Sequence, residues 1–312
     1  MFLGVDGGGT KTAYCLINRD GRILACIERA SCYFLSIGLD DAEQALVDGV
    51  TQVCRQAGIE AADIEHAFFG LPAFGEVSSA LDRLRAMPGV ALGHDRYHVD
   101  NDMVCGWAGS LAALDGINVI AGTGSMTYGE RAGVGVRCGG WGELFGDEGS
   151  AHWIAIAGLN AFSQMSDGRK PPGPLYRRLR RDLDLDDDLE LVDIALNRWA
   201  RDRGRIAALA PLVLESAAAG DREAAGIADA AADALVELVE TTARRLDFGP
   251  GEVVPVSYSG GLFQASAFID RFITRMARCD RAFDLRPPLH APVVGGALYA
   301  ARLAGHTIKT VV

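Results

Sequence analysis

Two glycine-rich turns, each closing an apolar run, carry the first chemical signal in this chain. DGGGTKT at Asp6–Thr12 follows Phe2-Leu3-Gly4-Val5, and GTGS at Gly122–Ser125 follows Ile117-Asn118-Val119-Ile120-Ala121. A residue without a Cβ lets backbone N–H groups approach an anion closely, so each turn is a candidate phosphate cradle, and the pair points to one nucleotide gripped from two sides. A third stretch, Gly139–Phe162, places four glycines within eight residues beside Trp141 and the Asp147-Glu148 pair. Glycines let backbone pass close to a polyhydroxylated ligand, and carboxylates are the usual partners of sugar hydroxyls. The structural alternative there is a tight turn in which Asp147 or Glu148 caps the helix that starts about Gly149.

The elements around these residues narrow the chemistry. No GxxxxGK[ST] loop occurs, and no GxGxxG opens a helix, so neither the Walker A nor the dinucleotide fingerprint applies. After Thr12 the run AYCLINRDGRILACIER alternates apolar and polar residues around an Asp20-Gly21 turn, a strand hairpin. The first glycine turn therefore joins two strands of a meander over residues 2–29. The pattern then predicts a helix from Asp40-Asp41 to Gly58, a strand at His66–Leu71, a helix near Val77–Ala86, a strand near Tyr97–Val99 and a helix from about Met103. From Gly116 a second meander begins (117–121, 126–131, 133–138), followed by helices, one of them at Glu223–Leu246, and a strand at Val253–Tyr258. The fold class is α/β, in two halves of like order, each opened by a glycine turn, with a ligand cleft between them.

Composition bounds the rest. A chain of 312 residues can bury a core in each of two domains. The net charge of −11 argues against a nucleic-acid surface. No apolar run is long enough to cross a membrane, and the N-terminus enters a strand directly, which leads us to expect a cytoplasmic protein with neither membrane nor nucleic-acid partner. The seven cysteines are scattered without a CxxC pair and the six histidines form no HExxH, so reduced, structural thiols are expected and a zinc or iron–sulfur cage is not. The acidic run Asp182–Glu190 reads as a solvated face.

The DGGGT turn between two meander strands resembles the phosphate-1 site of the actin-like, sugar-kinase and Hsp70 superfamily. With the Asn101-Asp102 pair, GTGS, GGWGELFGDEGSA, Arg205–Asp221, SGG at Ser259–Gly261 and APVVGGAL at Ala291–Leu298, the chain resembles the BadF/BadG/BcrA/BcrD-type ATPase family, and within it the N-acetylglucosamine and glucosamine kinases. The likeness covers nearly the whole chain, in the family's order. It implies two actin-like (ribonuclease H-like) domains: residues 1–115, with the sugar side, the first phosphate turn and the catalytic aspartate, and residues 116–312, with the second phosphate turn and the adenosine site. The last helix is a candidate to pack back on the N-terminal domain. The activator ATPases of the family share an iron–sulfur cluster through cysteines, and no matching cysteine pair beside glycines is found here. An activator-type ATPase and a non-catalytic sugar-binding regulator are the alternatives to a kinase.

The same resemblance implies roles. Phosphoryl transfer to a sugar hydroxyl needs a base, Mg²⁺ and amides that hold the phosphates in line. Asp102, at a strand-to-helix step where the dipole favours an ionised carboxyl, matches the family's catalytic base and touches the sugar; a purely capping Asp102, with Asp100 as base, is the alternative. Asp6 matches the carboxylate that holds Mg²⁺ through water. Gly8, Gly9, Thr10 and Lys11 would meet the ATP phosphates, as would Gly122, Thr123, Gly124 and Ser125, with Thr123 also facing the sugar. Gly260 and Gly261 match the adenosine-side turn. Gly140, Trp141 and Asp147 match the sugar loop, Asp147 binding hydroxyls and Trp141 either packing beside the sugar or filling the core. The family's Asn after the first meander is missing from Ala30–Gly38, where Tyr33 and Ser36 are the substitutes available. The implied activity is ATP-dependent phosphorylation of the 6-hydroxyl of an amino sugar. Family kinases commonly pair, so a homodimer is compatible with this activity.

Overall fold

The computed structural model describes residues 1–308 and 311. The chain forms two compact units, one made of Met1–Asp115 together with the segment from Pro287 onward, the other of Gly116–Arg286. Among the described residues no helix is long and apolar enough to cross a membrane.

The first unit is built on a five-stranded sheet in the order β3-β2-β1-β4-β5. Strands β1 (Phe2–Gly7), β2 (Lys11–Ile17) and β3 (Ile23–Ala30) form an antiparallel meander, and β4 (His66–Leu71) and β5 (Tyr97–Asn101) extend it in parallel from β1. Strand β1 is buried on both faces, which is why it reads as a near-continuous apolar run. One face packs Leu3, Val5, Tyr14 and Leu16 with Leu46, Val50 and Val53 of the Leu39–Ala57 helix, whose apolar positions keep helical spacing and which ends at Gly58 in the left-handed region. The helix expected near Val77–Ala86 is instead Leu81–Leu92: it runs through Pro88 because Leu84, Met87, Pro88 and Leu92 are all buried.

The other face of that sheet is covered by the Met103–Leu111 and Pro292–Leu303 helices. Trp107 and Phe68 each meet Tyr299 edge-on, with ring centroids 5.4 and 5.0 Å apart. Contact here is backbone to backbone: a Cβ on Gly295 would stand 2.0 Å from the Gly109 nitrogen, and one on Gly4 2.2 Å from the Ala297 nitrogen. This close approach is the packing for which the last helix is a candidate, and it ends the second unit at Arg286, short of the expected 116–312. The segment from Pro287 onward belongs to the first unit because the small residues of its helix lie on β1 and on the Met103–Leu111 helix.

The second unit repeats the plan. Its sheet runs β10-β9-β6-β7-β8, with β6 (Gly116–Ala121), β7 (Ser125–Arg131) and β8 (Val134–Gly139) as an antiparallel meander and β9 (Val254–Ser259) and β10 (Phe283–Arg286) parallel to β6. The Arg222–Arg245 helix starts where Asp221 accepts from the Ala224 N–H at 3.0 Å, and its small residues Ala228, Ala231 and Ala232 enter the core. One cysteine expectation fails. Cys15 and Cys26 face each other directly across β2 and β3 and are joined as a disulfide, a pairing set by strand register and invisible in their spacing.

Candidate functional site

In the first unit the DGGGTKT segment is the β1–β2 turn. The Gly8 N–H donates to the Lys11 carbonyl at 2.8 Å, leaving Gly9 and Thr10 exposed at the tip. The loop after β3 braces it: Ser31 Oγ donates to the Gly8 carbonyl at 2.6 Å, and the Cys32 N–H donates to buried Thr12 Oγ1 at 2.9 Å. Lys11 is exposed and paired with Glu28. The brace is Ser31; Tyr33 and Ser36 are half-buried and exposed.

Asp6 is the last residue but one of β1, and β4, parallel to both β1 and β5, sets that strand end level with the end of β5 one strand away, where Asp102 follows Asn101. The two carboxylates feel each other. Burial first, and then the Asp102 charge, push the Asp6 carboxyl up to about 7, with Lys11 opposing. Asp102 is the N-cap residue of the Met103–Leu111 helix by position, yet its side chain makes no cap bond. Asn101 supplies that bond, its Oδ1 accepting from the Met103 N–H at 3.2 Å, while Asp100 accepts from the Asn101 N–H at 2.7 Å. Asp100 and Asn101 thus do the local backbone work at the helix start.

In the second unit the GTGS turn joins β6 to β7 and is bonded into the glycine loop. The Gly122 N–H meets the Gly124 carbonyl at 2.9 Å, the Ala151 N–H meets the Gly122 carbonyl at 2.8 Å, and the Gly140 N–H meets the Ser125 carbonyl at 2.9 Å. Ser125 Oγ donates to the Glu148 carbonyl at 2.6 Å, so this hydroxyl is committed to the loop. Thr123 is exposed. The helix after the loop starts at Ala151, and its cap is Ser150, accepting from the Trp153 N–H at 3.1 Å, in place of Asp147 or Glu148. Gly260, at φ +103°, presses on the same turn: a Cβ there would stand 2.3 Å from the Ala121 carbonyl. Gly261 has open space around it. The structure therefore gathers Gly122–Ser125, Gly140, Asp147 and Gly260 around the end of β6.

Two loop residues differ from the simplest expectation. Trp141 is 72% exposed, alongside exposed Leu144 and Phe145, and does not fill the core. Asp147 is 3% exposed, and its carboxylate is held at 3.0 Å by Arg203, a residue with no local sequence signal because 56 positions separate the pair. Its backbone sits in the left-handed region at φ +56°. Among the described residues no group of three or more His, Cys, Asp or Glu side chains converges as a metal cage. A hard cation that keeps most of its water needs only one or two carboxylates, which the Asp6 donor set suits.

Known proteins resemble this chain along most of its length. It is 28% identical over 284 residues to the N-acetyl-D-glucosamine kinase of Dictyostelium discoideum, covering 88% of this chain and 89% of that protein. It is 26% identical over 274 residues to the N-acetylmuramic acid/N-acetylglucosamine kinase of Clostridium acetobutylicum, covering 86% and 88%. A solved structure from Chromobacterium violaceum, provisionally named an N-acetylglucosamine kinase, superposes with a TM-score of 0.68 at 28% identity over 96% of this chain and 98% of that one. The two-domain α/β fold expected from the sequence is thus shared with a solved structure of similar length. The profile of the BadF/BadG/BcrA/BcrD ATPase family matches residues 3–300, and the chain belongs to that family.

Proposed function

We propose that this chain is an ATP-dependent amino-sugar kinase that transfers the γ-phosphate to the 6-hydroxyl of N-acetylglucosamine or glucosamine. The observation that carries this function is the Asp6–Asp102 pair beside a glycine turn, with the helix cap supplied by Asn101 so that Asp102 is not spent on it. Kinases acting on N-acetylglucosamine and N-acetylmuramic acid, each similar over most of its length, support the substrate class.

In such an enzyme Asp102 accepts the hydroxyl proton as the sugar oxygen attacks the γ-phosphorus and the bond from that phosphorus to the β–γ bridging oxygen breaks, so that ADP leaves. Asp6 would hold Mg²⁺, which when bound would spread the charge of the β- and γ-phosphates. Gly8, Gly9, Thr10 and Lys11 receive the phosphates with Gly122, Thr123, Gly124 and Ser125, the last through its backbone because its hydroxyl is committed to Glu148. Gly260 and Gly261 serve the adenosine side. Gly140, Trp141 and Asp147 meet the sugar, with Thr123 towards its N-substituent. The enzyme works in the cytoplasm, without nucleic-acid or membrane partners, and is compatible with a homodimer.

ADP release measured against a panel of hexoses and amino sugars tests this function. Release that depends on an amino sugar is expected. Sugar-independent hydrolysis would point instead to an activator-type ATPase, and sugar binding without turnover to a regulator.

A further inference from the structure

Resting on the amino-sugar kinase function above, we propose that Arg203 is a positioning residue for the sugar: it fixes the Asp147 carboxylate and ties the glycine loop to the second phosphate turn. Asp147 combines near-complete burial with a left-handed backbone, a costly combination for a side chain that carries charge. A buried carboxylate needs a partner, and Arg203 supplies it from the start of the short Arg203–Ala207 helix. Its Nη2 lies 3.0 Å from Asp147 Oδ2 and its Nη1 3.1 Å from Glu143 Oε2, so one planar guanidinium clamps two residues of the same loop.

The clamp lies directly on the GTGS turn. A Cβ on Gly124 would stand 2.6 Å from Asp147 Oδ2 and 3.0 Å from Arg203 Nη2. A side chain at position 124 would therefore displace the ion pair itself, before any ligand is considered. Buried His152, whose backbone N–H donates to the Thr123 carbonyl at 3.4 Å, lies close enough for its ring to feel Glu143, Arg203 and Asp147 as charges. The Arg203 and Glu143 side of the clamp is open to solvent, while the Asp147 side is closed. Pairing one oxygen of the Asp147 carboxylate to Arg203 fixes the orientation of the whole group, which is what discrimination among sugar hydroxyls demands. Lysine keeps the charge but not the planar fork, so it can pair with these carboxylates without fixing their orientation as arginine does.

Steady-state kinetics of Arg203→Gln and Arg203→Lys, with the Asp147→Asn variant and the double variant, decide the matter. Arg203→Gln is expected to raise the sugar KM about ten- to a hundredfold, with the ATP KM moved far less. Arg203→Lys should recover part of the loss, and Arg203→Gln should add little in the Asp147→Asn background. A folded Arg203→Gln enzyme with an unchanged sugar KM, equal rises in both KM values, or full additivity with Asp147→Asn would each overturn the proposal. Should Arg203→Gln fail to fold, the same comparison made with Arg203→Lys decides. A parent enzyme with no sugar-dependent ADP release would instead overturn the kinase function, and this inference with it.

Discussion

Asp102 and Asn101 divide labour that one residue often performs alone. Because Asn101 caps the helix, replacing Asp102 by Asn removes a proton acceptor without uncapping Met103–Leu111. Asp102→Asn is expected to lower kcat by about two to four orders of magnitude with sugar affinity changed far less. Near wild-type turnover would move the base elsewhere. The phosphate turns call for a different probe. Gly124 is the wrong position at which to add a side chain, since any Cβ there strikes Asp147 and Arg203. Gly122 and Gly9 have no neighbouring protein atom within 4 Å of a built Cβ. Gly122→Ala should therefore fold normally and weaken ATP–Mg²⁺ binding, and calorimetry showing unchanged affinity would detach that turn from the nucleotide. At this scale the turns and the Asp6 and Asp102 carboxylates are legible in the sequence because a glycine run or an acidic residue at the end of an apolar strand is a local pattern. The partner of Asp147 is not, because ion pairing between distant segments leaves no such pattern.

Elements are legible where a period or a punctuation mark enforces them. The meanders, the Leu39–Ala57 helix with its glycine stop and the capped Arg222–Arg245 helix all announce themselves. The Leu81–Leu92 helix does not, since its internal Pro88 argues against helix locally and only burial overrides it. The destination of Pro292–Leu303 is legible only through the family resemblance, which makes the last helix a candidate to pack back on the N-terminal domain; its small residues permit close packing but do not by themselves say against what. Its glycines carry a stability prediction. Gly295→Ala forces a Cβ into backbone atoms of Gly109 and Cys105 that cannot rotate away, and should cost about 1–3 kcal/mol or more. Gly226→Ala, on an open helix surface, should be stabilising by about 0.5–1 kcal/mol. Thermal melts of the two variants should move in opposite directions, and parallel shifts would refute the packing argument.

Within the first unit, one carboxylate joins three separated stretches of chain. Glu65, just before β4, accepts from Arg19 of the β2–β3 turn at 2.9 Å and pairs with His306 at 2.7 Å, and the chain's amino group lies 3.9 Å away. Partial burial disfavours its charge, but the Arg19 and His306 hydrogen bonds outweigh this and hold its carboxyl below the ordinary glutamate range. A carboxyl with a folded-state pKa below its unfolded value of about 4.3 stabilises above that pH, and the contribution is lost as pH falls through the folded value. Glu65→Gln should therefore lower the melting temperature near pH 7, and the difference from the parent should shrink below about pH 4. A difference constant across pH would show that the charge is not what matters.

The first unit is also discontinuous: its sheet is finished by Asn101, but the helix that covers β1 lies beyond Arg286. A ribosome must therefore deliver all of the second unit before the first can close. At about 5–20 residues per second this delay is on the order of ten seconds. During that time Phe68 and Trp107, fully buried in the finished protein, lack the Pro292–Leu303 helix that meets them through Tyr299, and Phe2 lacks its contact with His306. The nascent chain thus carries a sticky apolar face for most of its synthesis, a target for chaperones that meet chains on the ribosome and the point at which premature termination would be most prone to aggregate.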